Sequence, residues 1–174
     1  EVAQFLIRLR QLLRWLDISD ADMERGQLRC DANVSIREPG SQELNPKTEI
    51  KNVNSIANIR QAVQAEIERQ IREVEACRTI ESWTLDWDDE RAVLSKMRSK
   101  EAEADYRYFR DPDLLPIRIE EVEKQAVRHA LPELPLARRG RLVQAYGLPE
   151  YDAEILTEER TLSDFFETSV SAYG

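Results

Sequence analysis

The chain has 174 residues, of which 34 are acidic and 25 basic, giving a formal net charge of −9 at pH 7. At 41% hydrophobic and 34% charged, with five Gly and seven Pro, it has the composition of one or two packed domains and not of a collagen-like or low-complexity chain. It has no apolar run of membrane-spanning length, its acidic balance argues against a surface coated with positive charge for nucleic acid, and two cysteines with one His cannot build a disulfide framework or a four-ligand zinc site.

Residues 1–16 carry Val2, Phe5, Leu6, Leu9, Leu12, Leu13 and Leu16 at helical spacing, so one stripe of a helix faces a core. The chain opens on Glu1 inside this pattern, which reads as a piece of something longer. From 27 to 37 the period changes: Leu28, Cys30, Ala32, Val34 and Ile36 alternate with Arg29, Asp31, Asn33, Ser35 and Arg37, as in a half-buried strand. Residues 38–46, with Pro39, Gly40 and Asn45, form a loop, and 47–53 a second strand adjacent to the first. Thr48, Ile50 and Asn52 fall on one face of it, and Lys47, Glu49, Lys51 and Val53 on the other.

Ser55 begins a long amphipathic helix to about Cys77, with Glu66–Arg69 and Glu68–Arg72 as local ion pairs. Trp83, Leu85 and Trp87 mark a third strand, 88–90 a turn, and 91–97 a return strand. Beyond Pro116 the pattern becomes short helices at about 119–130, 135–146, 151–156 and 158–172, with Thr157 placed to cap the last. Both cysteines read as buried free thiols, in keeping with a reducing, cytoplasmic-type compartment. The expected fold is α+β: an antiparallel sheet packed with long helices, followed by a small incomplete all-helical unit.

The polar face of the first strand is the most informative feature. Asp31, Asn33 and Ser35 project to one side, with Glu49, Lys51 and Asn52 beside them on the second strand. Mg²⁺ takes hard oxygen ligands, usually one or two carboxylates plus water and phosphate oxygens, and a lysine offers a mobile charge for phosphate. Such a face equally describes a sheet turned to water, with Asp31 and Lys51 as a cross-strand ion pair. MRSKEAEADYRYF at 97–109 interleaves Arg98, Lys100 and Arg107 with aromatics, a pattern suited to phosphates and bases or to a strand whose rings pack inward. Arg138, Arg139 and Arg141 form a local excess of positive charge able to contact an RNA backbone or simply to face solvent. The chain contains no phosphate-binding glycine loop, no nucleophile elbow and no H-E-x-x-H.

RCDANVSIR at 29–37 and KTEIKNVNS at 47–55, with MRSKE at 97–101, DYRYF at 105–109, PDL at 112–114 and LPELP at 131–135, closely resemble the B subunit of the aspartyl/glutamyl-tRNA amidotransferases. The resemblance runs over nearly the whole chain. It implies a subunit that uses ATP and Mg²⁺ to phosphorylate the side-chain carboxylate of glutamate or aspartate misloaded on tRNA. Ammonia from a glutaminase (amidase) subunit then displaces the phosphate, and a small third subunit completes a heterotrimer. By this resemblance Asp31 and Glu49 are the catalytic, metal-binding carboxylates, and Asn33, Lys51 and Asn52 are polar or phosphate contacts. Arg98, Lys100 and Arg107 are expected in the same cleft, and Arg138, Arg139 and Arg141, by their local charge, are the candidates to meet tRNA. Residues 1–120 correspond to the distal part of a kinase-like catalytic cradle, and 121–174 to the start of a helical, tRNA-engaging domain. Further acidic and His site residues belong to the family's amino-terminal part, so the isolated chain is expected to be inactive. Two positions depart from the family pattern: Ala104, where His is common, and Arg110, where Pro is common. The competing reading is a non-catalytic tRNA-binding or scaffold module.

Overall fold

In the computed structural model, which describes residues 1–99 and 109–173, contacts divide the chain into two units. The first takes residues 1–7 and 22–99, the second residues 8–21 and 109–173. Helix α1 (Val2–Trp15) starts in one and ends in the other.

The first unit is built on a sheet with the order β1 (Ala32–Val34), β2 (Thr48–Lys51), β3 (Trp83–Asp88), β4 (Val93–Ser99). The pairs β1–β2 and β3–β4 are antiparallel, as expected, but β2–β3 is parallel. The cause is helix α2 (Ile56–Glu75), which lies between those strands in sequence. Parallel neighbours need a crossover of a dozen or more residues, and an intervening helix supplies it. The fold class is α+β, with a mixed sheet.

The alternation over 27–37 yields only three paired residues. β1 can pair only where β2 offers a ladder. Pro46, which has no N–H, precedes β2, and Asn52, at φ 59°, follows it. Asp31 therefore lies just before β1 and Ser35 just after it. The left-handed residue also shifts the side-chain phase by one. Continued alternation would place Asn52 beside Thr48 and Ile50; instead Asn52 is exposed and Val53 is buried.

Val34, Ile50, Val53 and Trp87 form one buried cluster with Leu6 of α1 and Ile59 and Ala62 of α2. Ser55 caps α2 by accepting from the Asn58 N–H at 3.1 Å. Cys77, expected inside, is exposed beyond the end of this helix at φ 55°, and Cys30 is only partly buried.

The second unit contains α3 (Glu121–Ala130), α4 (Pro135–Tyr146), α5 (Glu150–Leu156) and α6 (Arg160–Tyr173). Pro135 opens α4 and Gly147, at φ 66°, closes it. Thr157 ends α5, donating its hydroxyl to the Ala153 carbonyl at 2.7 Å, where the sequence suggested a cap for the following helix. Trp15 is buried here, and its indole N–H donates to the Glu133 carbonyl at 2.9 Å. No helix among the described residues is long and apolar enough to cross a membrane.

Candidate functional site

The short β1–β2 ladder places Asn33 directly opposite Glu49 and turns both away from the cluster that holds Val34 and Ile50. Lys51 is next outward on β2. Its Nζ lies 3.7 Å from Glu49 Oε1 and 3.9 Å from Asp31 Oδ2. Four of the residues singled out in the sequence, Asp31, Asn33, Glu49 and Lys51, are thus brought together on one side of the sheet.

Asn52 joins them through the phase shift at its own backbone. Its Nδ2 donates to Asp86 Oδ1 at 2.7 Å, and Asp86 is the β3 neighbour of Lys51 in the parallel register. Asp86 was missed in the sequence. The signal was there: it is a polar position in the alternation Trp83–Asp88, but only the parallel pairing shows that this strand adjoins β2. Thr84, opposite Glu49 in the same register, is buried, and its Oγ1 has no hydrogen-bond partner among the described residues.

Asp31 and Lys51 keep 49% and 34% of their side-chain surface, so their ion pair contributes only about 0–1 kcal/mol to folding. The Lys51 ammonium lies between two carboxylates, and Asp86 is its neighbour on β3. Among the described residues no three His, Cys, Asp or Glu side chains converge as a metal-binding group. Two carboxylates from adjacent strands still fit the habit of Mg²⁺, which is usually held by one or two carboxylates, with waters and phosphate oxygens completing its octahedron.

A cleft of about 220 Å³ adjoins the cluster, lined by Arg29, Cys30, Asp31, Asn52 and Asn54 among others. Burial pushes the Cys30 thiol up, and the neighbouring Asp31 charge pushes it further, so Cys30 stays protonated at neutral pH. It lines the cleft as a small, partly buried side chain.

The remaining candidates are placed differently. Arg98 lies on β4 opposite Thr84, while Lys100 and Arg107 fall outside the described residues. In the second unit Arg138 is buried, with Nη1 2.6 Å from Asp164 Oδ1 and Nε 2.9 Å from Glu167 Oε2, and it stacks 5.7 Å from the Trp15 ring centre. Arg141 is bound by Glu133 and Glu167, and Arg139 by Glu150 and Glu154 at 3.2 Å each. All three arginines are engaged by carboxylates of their own unit.

The family described as "GatB/GatE catalytic domain" matches residues 1–125. The chain is 51% identical over 170 residues to the B subunit of the aspartyl/glutamyl-tRNA(Asn/Gln) amidotransferase of Salinibacter ruber, covering 98% of this chain and 34% of that protein. It is 47% identical over 173 residues to the protein of the same name from Moorella thermoacetica, covering 99% and 36%. With that of Psychrobacter cryohalolentis the identity is 49% over 174 residues, covering 100% and 34%. The chain spans about a third of the length of these relatives.

Proposed function

We propose, because the chain belongs to the GatB/GatE catalytic-domain family, that it forms part of the ATP-dependent subunit of a tRNA-dependent amidotransferase and that its β1–β2 face carries part of the phosphoryl-transfer site. The observation that supports this most is the gathering of Asp31, Glu49 and Lys51 within ion-pair distance at the edge of a cleft.

The chemistry asks for such a face. A carboxylate is a poor electrophile. When one of its oxygens attacks the γ-phosphorus of ATP and ADP departs, the resulting acyl phosphate has a good leaving group. Ammonia then adds at the acyl carbon, phosphate leaves with the C–O electron pair, the nitrogen gives up one proton to the departing phosphate, and the amide remains. Phosphoryl transfer of this kind relies on positioning and charge neutralisation. When bound, Mg²⁺ supplies that neutralisation at the nucleotide phosphates.

Asp31 and Glu49 hold the metal in this scheme. Lys51, displaced from its carboxylate partners, presents its ammonium to a phosphate oxygen. Asn33 and Asn52 offer neutral amide donors on either side of it. Asp86 holds Asn52 in place. Arg98, Lys100 and Arg107 are assigned to the same cleft as further phosphate contacts. The substrate is Glu-tRNA(Gln) or Asp-tRNA(Asn), and the partners are a glutaminase (amidase) subunit that supplies ammonia and a small third subunit. The alternative, a non-catalytic tRNA-binding or scaffold module, leans on Arg138, Arg139 and Arg141. It is less well supported, because those guanidiniums are already held by carboxylates.

The reading is tested by equilibrium binding of MgATP to the complete subunit containing this chain and to its Asp31→Asn and Glu49→Gln variants. Binding that weakens at least tenfold in each variant supports it. Equal binding by all three proteins, or binding by none, counts against a nucleotide site on this face.

A further inference from the structure

On the core side of the same two strands, helix α2 carries a polar network where apolar packing would be expected. Glu66, Gln70 and Thr48 are all fully buried. Glu66 accepts from Thr48 Oγ1 at 2.6 Å and from Arg69 Nε and Nη2 at 2.8 and 2.7 Å. The Glu66–Arg69 pair, expected from the sequence as a local ion pair of the helix, has its carboxylate fully buried in this network. Gln70 Nε2 lies 2.7 Å from Glu66 Oε1, 3.0 Å from Thr48 Oγ1 and 3.1 Å from the Val34 carbonyl, and Gln70 Oε1 accepts from the Ile36 N–H at 3.2 Å. One helix side chain thus bonds Val34 at the end of β1, Ile36 just beyond it, and Thr48 of β2.

These contacts meet the strands at the positions that matter. Thr48 immediately precedes Glu49, and Val34 immediately follows Asn33, the residue opposite Glu49. The β1–β2 ladder is only three residue pairs long, so backbone pairing alone specifies its register weakly. A slip of one residue would turn Glu49 into the core and Thr48 outward. Burial pushes the Glu66 carboxyl up, but hydrogen bonds from Arg69, Thr48 and Gln70 outweigh this and hold it below the usual carboxylate range. Apolar residues of similar volume would fill this space without burying a charge, so the network is better explained by the register it imposes than by net stability.

We propose that Gln70 and Glu66 are positioning residues that fix the β1–β2 register and so hold Asp31, Glu49 and Lys51 together; the proposal rests on the reading of that cluster as the metal and nucleotide site. The test uses the complete subunit containing this chain, ¹⁵N-labelled, with Mn²⁺ as the probe. Cross-strand NOEs at the Asn33–Glu49 pair report register, and broadening of the Asp31 and Glu49 amides reports Mn²⁺ affinity. Gln70→Met keeps the shape and removes the bonds. Val63→Ala, on the same helix and packed against the apolar cluster, serves as a destabilised control.

The expected result is that Gln70→Met loses the Asn33–Glu49 NOEs and weakens Mn²⁺ at least fivefold, while Val63→Ala retains both. If Gln70→Met does not fold, Glu66→Gln, which keeps shape and drops the charge, takes its place in the same comparison. NOEs and Mn²⁺ affinity both unchanged within twofold would overturn the proposal, as would loss of the NOEs with unchanged affinity. If the parent subunit shows no Mn²⁺ broadening at Asp31 and Glu49, the metal reading of the cluster fails. The NOEs then decide the register claim separately.

Discussion

Asn52 reaches Asp86 across the parallel β2–β3 boundary, donating from Nδ2 at 2.7 Å while its own backbone is left-handed at φ 59°. The conformation and the contact serve one end: β2 stops, Val53 turns into the core and the Asn52 amide stays with Lys51 and Asp86. Asn tolerates this backbone better than other non-glycine residues, and a β-branched side chain there is a true outlier. Asn52→Val is expected to destabilise the fold by about 1–3 kcal/mol, whereas Asn52→Gly, which accepts the backbone and loses only the exposed contact, stays within about 1 kcal/mol. Urea denaturation of the two variants checks this. Equal losses would show that the backbone geometry is not what Asn52 provides.

Ile50 is fully buried between the strand that carries Glu49 and Lys51 and helix α2. Ile50→Ala should cost about 2–5 kcal/mol through lost burial and the cavity left behind. Lys51→Met, at a partly exposed position, should cost less than about 1 kcal/mol. Thermal melts of both separate the core face of β2 from its outer face. A large loss for Lys51→Met would mean that the ion pairs hold the fold together.

Much of this was legible in the sequence. The cap at Ser55, the apolar spacing of α2 and the Pro135–Gly147 bracketing of α4 are local signals, and the structure follows them. The side that gathers Asp31, Asn33, Glu49 and Lys51 followed from period-two alternation. Three things were not local. Strand length at β1 was limited by what β2 could pair. The parallel β2–β3 contact that brings in Asp86 depends on how α2 returns the chain. Glu66 and Gln70 carry side chains that usually mark a solvated helix face, and only the packing of α2 on β1 and β2 shows them buried.

Arg138 and Arg139 are neighbours with different surroundings. Arg138 keeps 10% of its side-chain surface and is bound to Asp164 and Glu167; Arg139 keeps 21%, with partners that are themselves more than half exposed. A fully buried pair broken from one side costs about 3–5 kcal/mol, and the exposure of Asp164 at 55% reduces this. Arg138→Ala is therefore expected to lose about 2 kcal/mol, and Arg139→Ala no more than about 1 kcal/mol. Chemical denaturation at moderate salt distinguishes them. Comparable, near-zero losses would free both guanidiniums for a phosphate backbone.

The pH dependence has a defined sign. A hydrogen bond from Arg141, with Arg138 adding to it and burial opposing, holds the Glu167 carboxyl down to about 2 from its ordinary 4.5. Glu66 is shifted in the same direction. A carboxylate whose folded value is depressed contributes its stability in full above the unfolded value, and loses it as pH falls from about 4.5 toward 2. Stability should thus be flat above about pH 5 and fall steadily below it, and Glu167→Gln should reduce that slope in the second unit. Urea midpoints measured from pH 6 down to 3 test this; a slope unchanged in Glu167→Gln would place the titrating group elsewhere.

The central claim is that Asp31 and Glu49 serve phosphoryl transfer. Its most direct test is ATP-dependent amidation of misacylated tRNA by the assembled amidotransferase containing this chain, with glutamine hydrolysis followed in the same reactions. Asp31→Asn and Glu49→Gln are each predicted to abolish amidation while glutamine hydrolysis persists. Amidation at the parent rate with both substitutions in place would contradict the account.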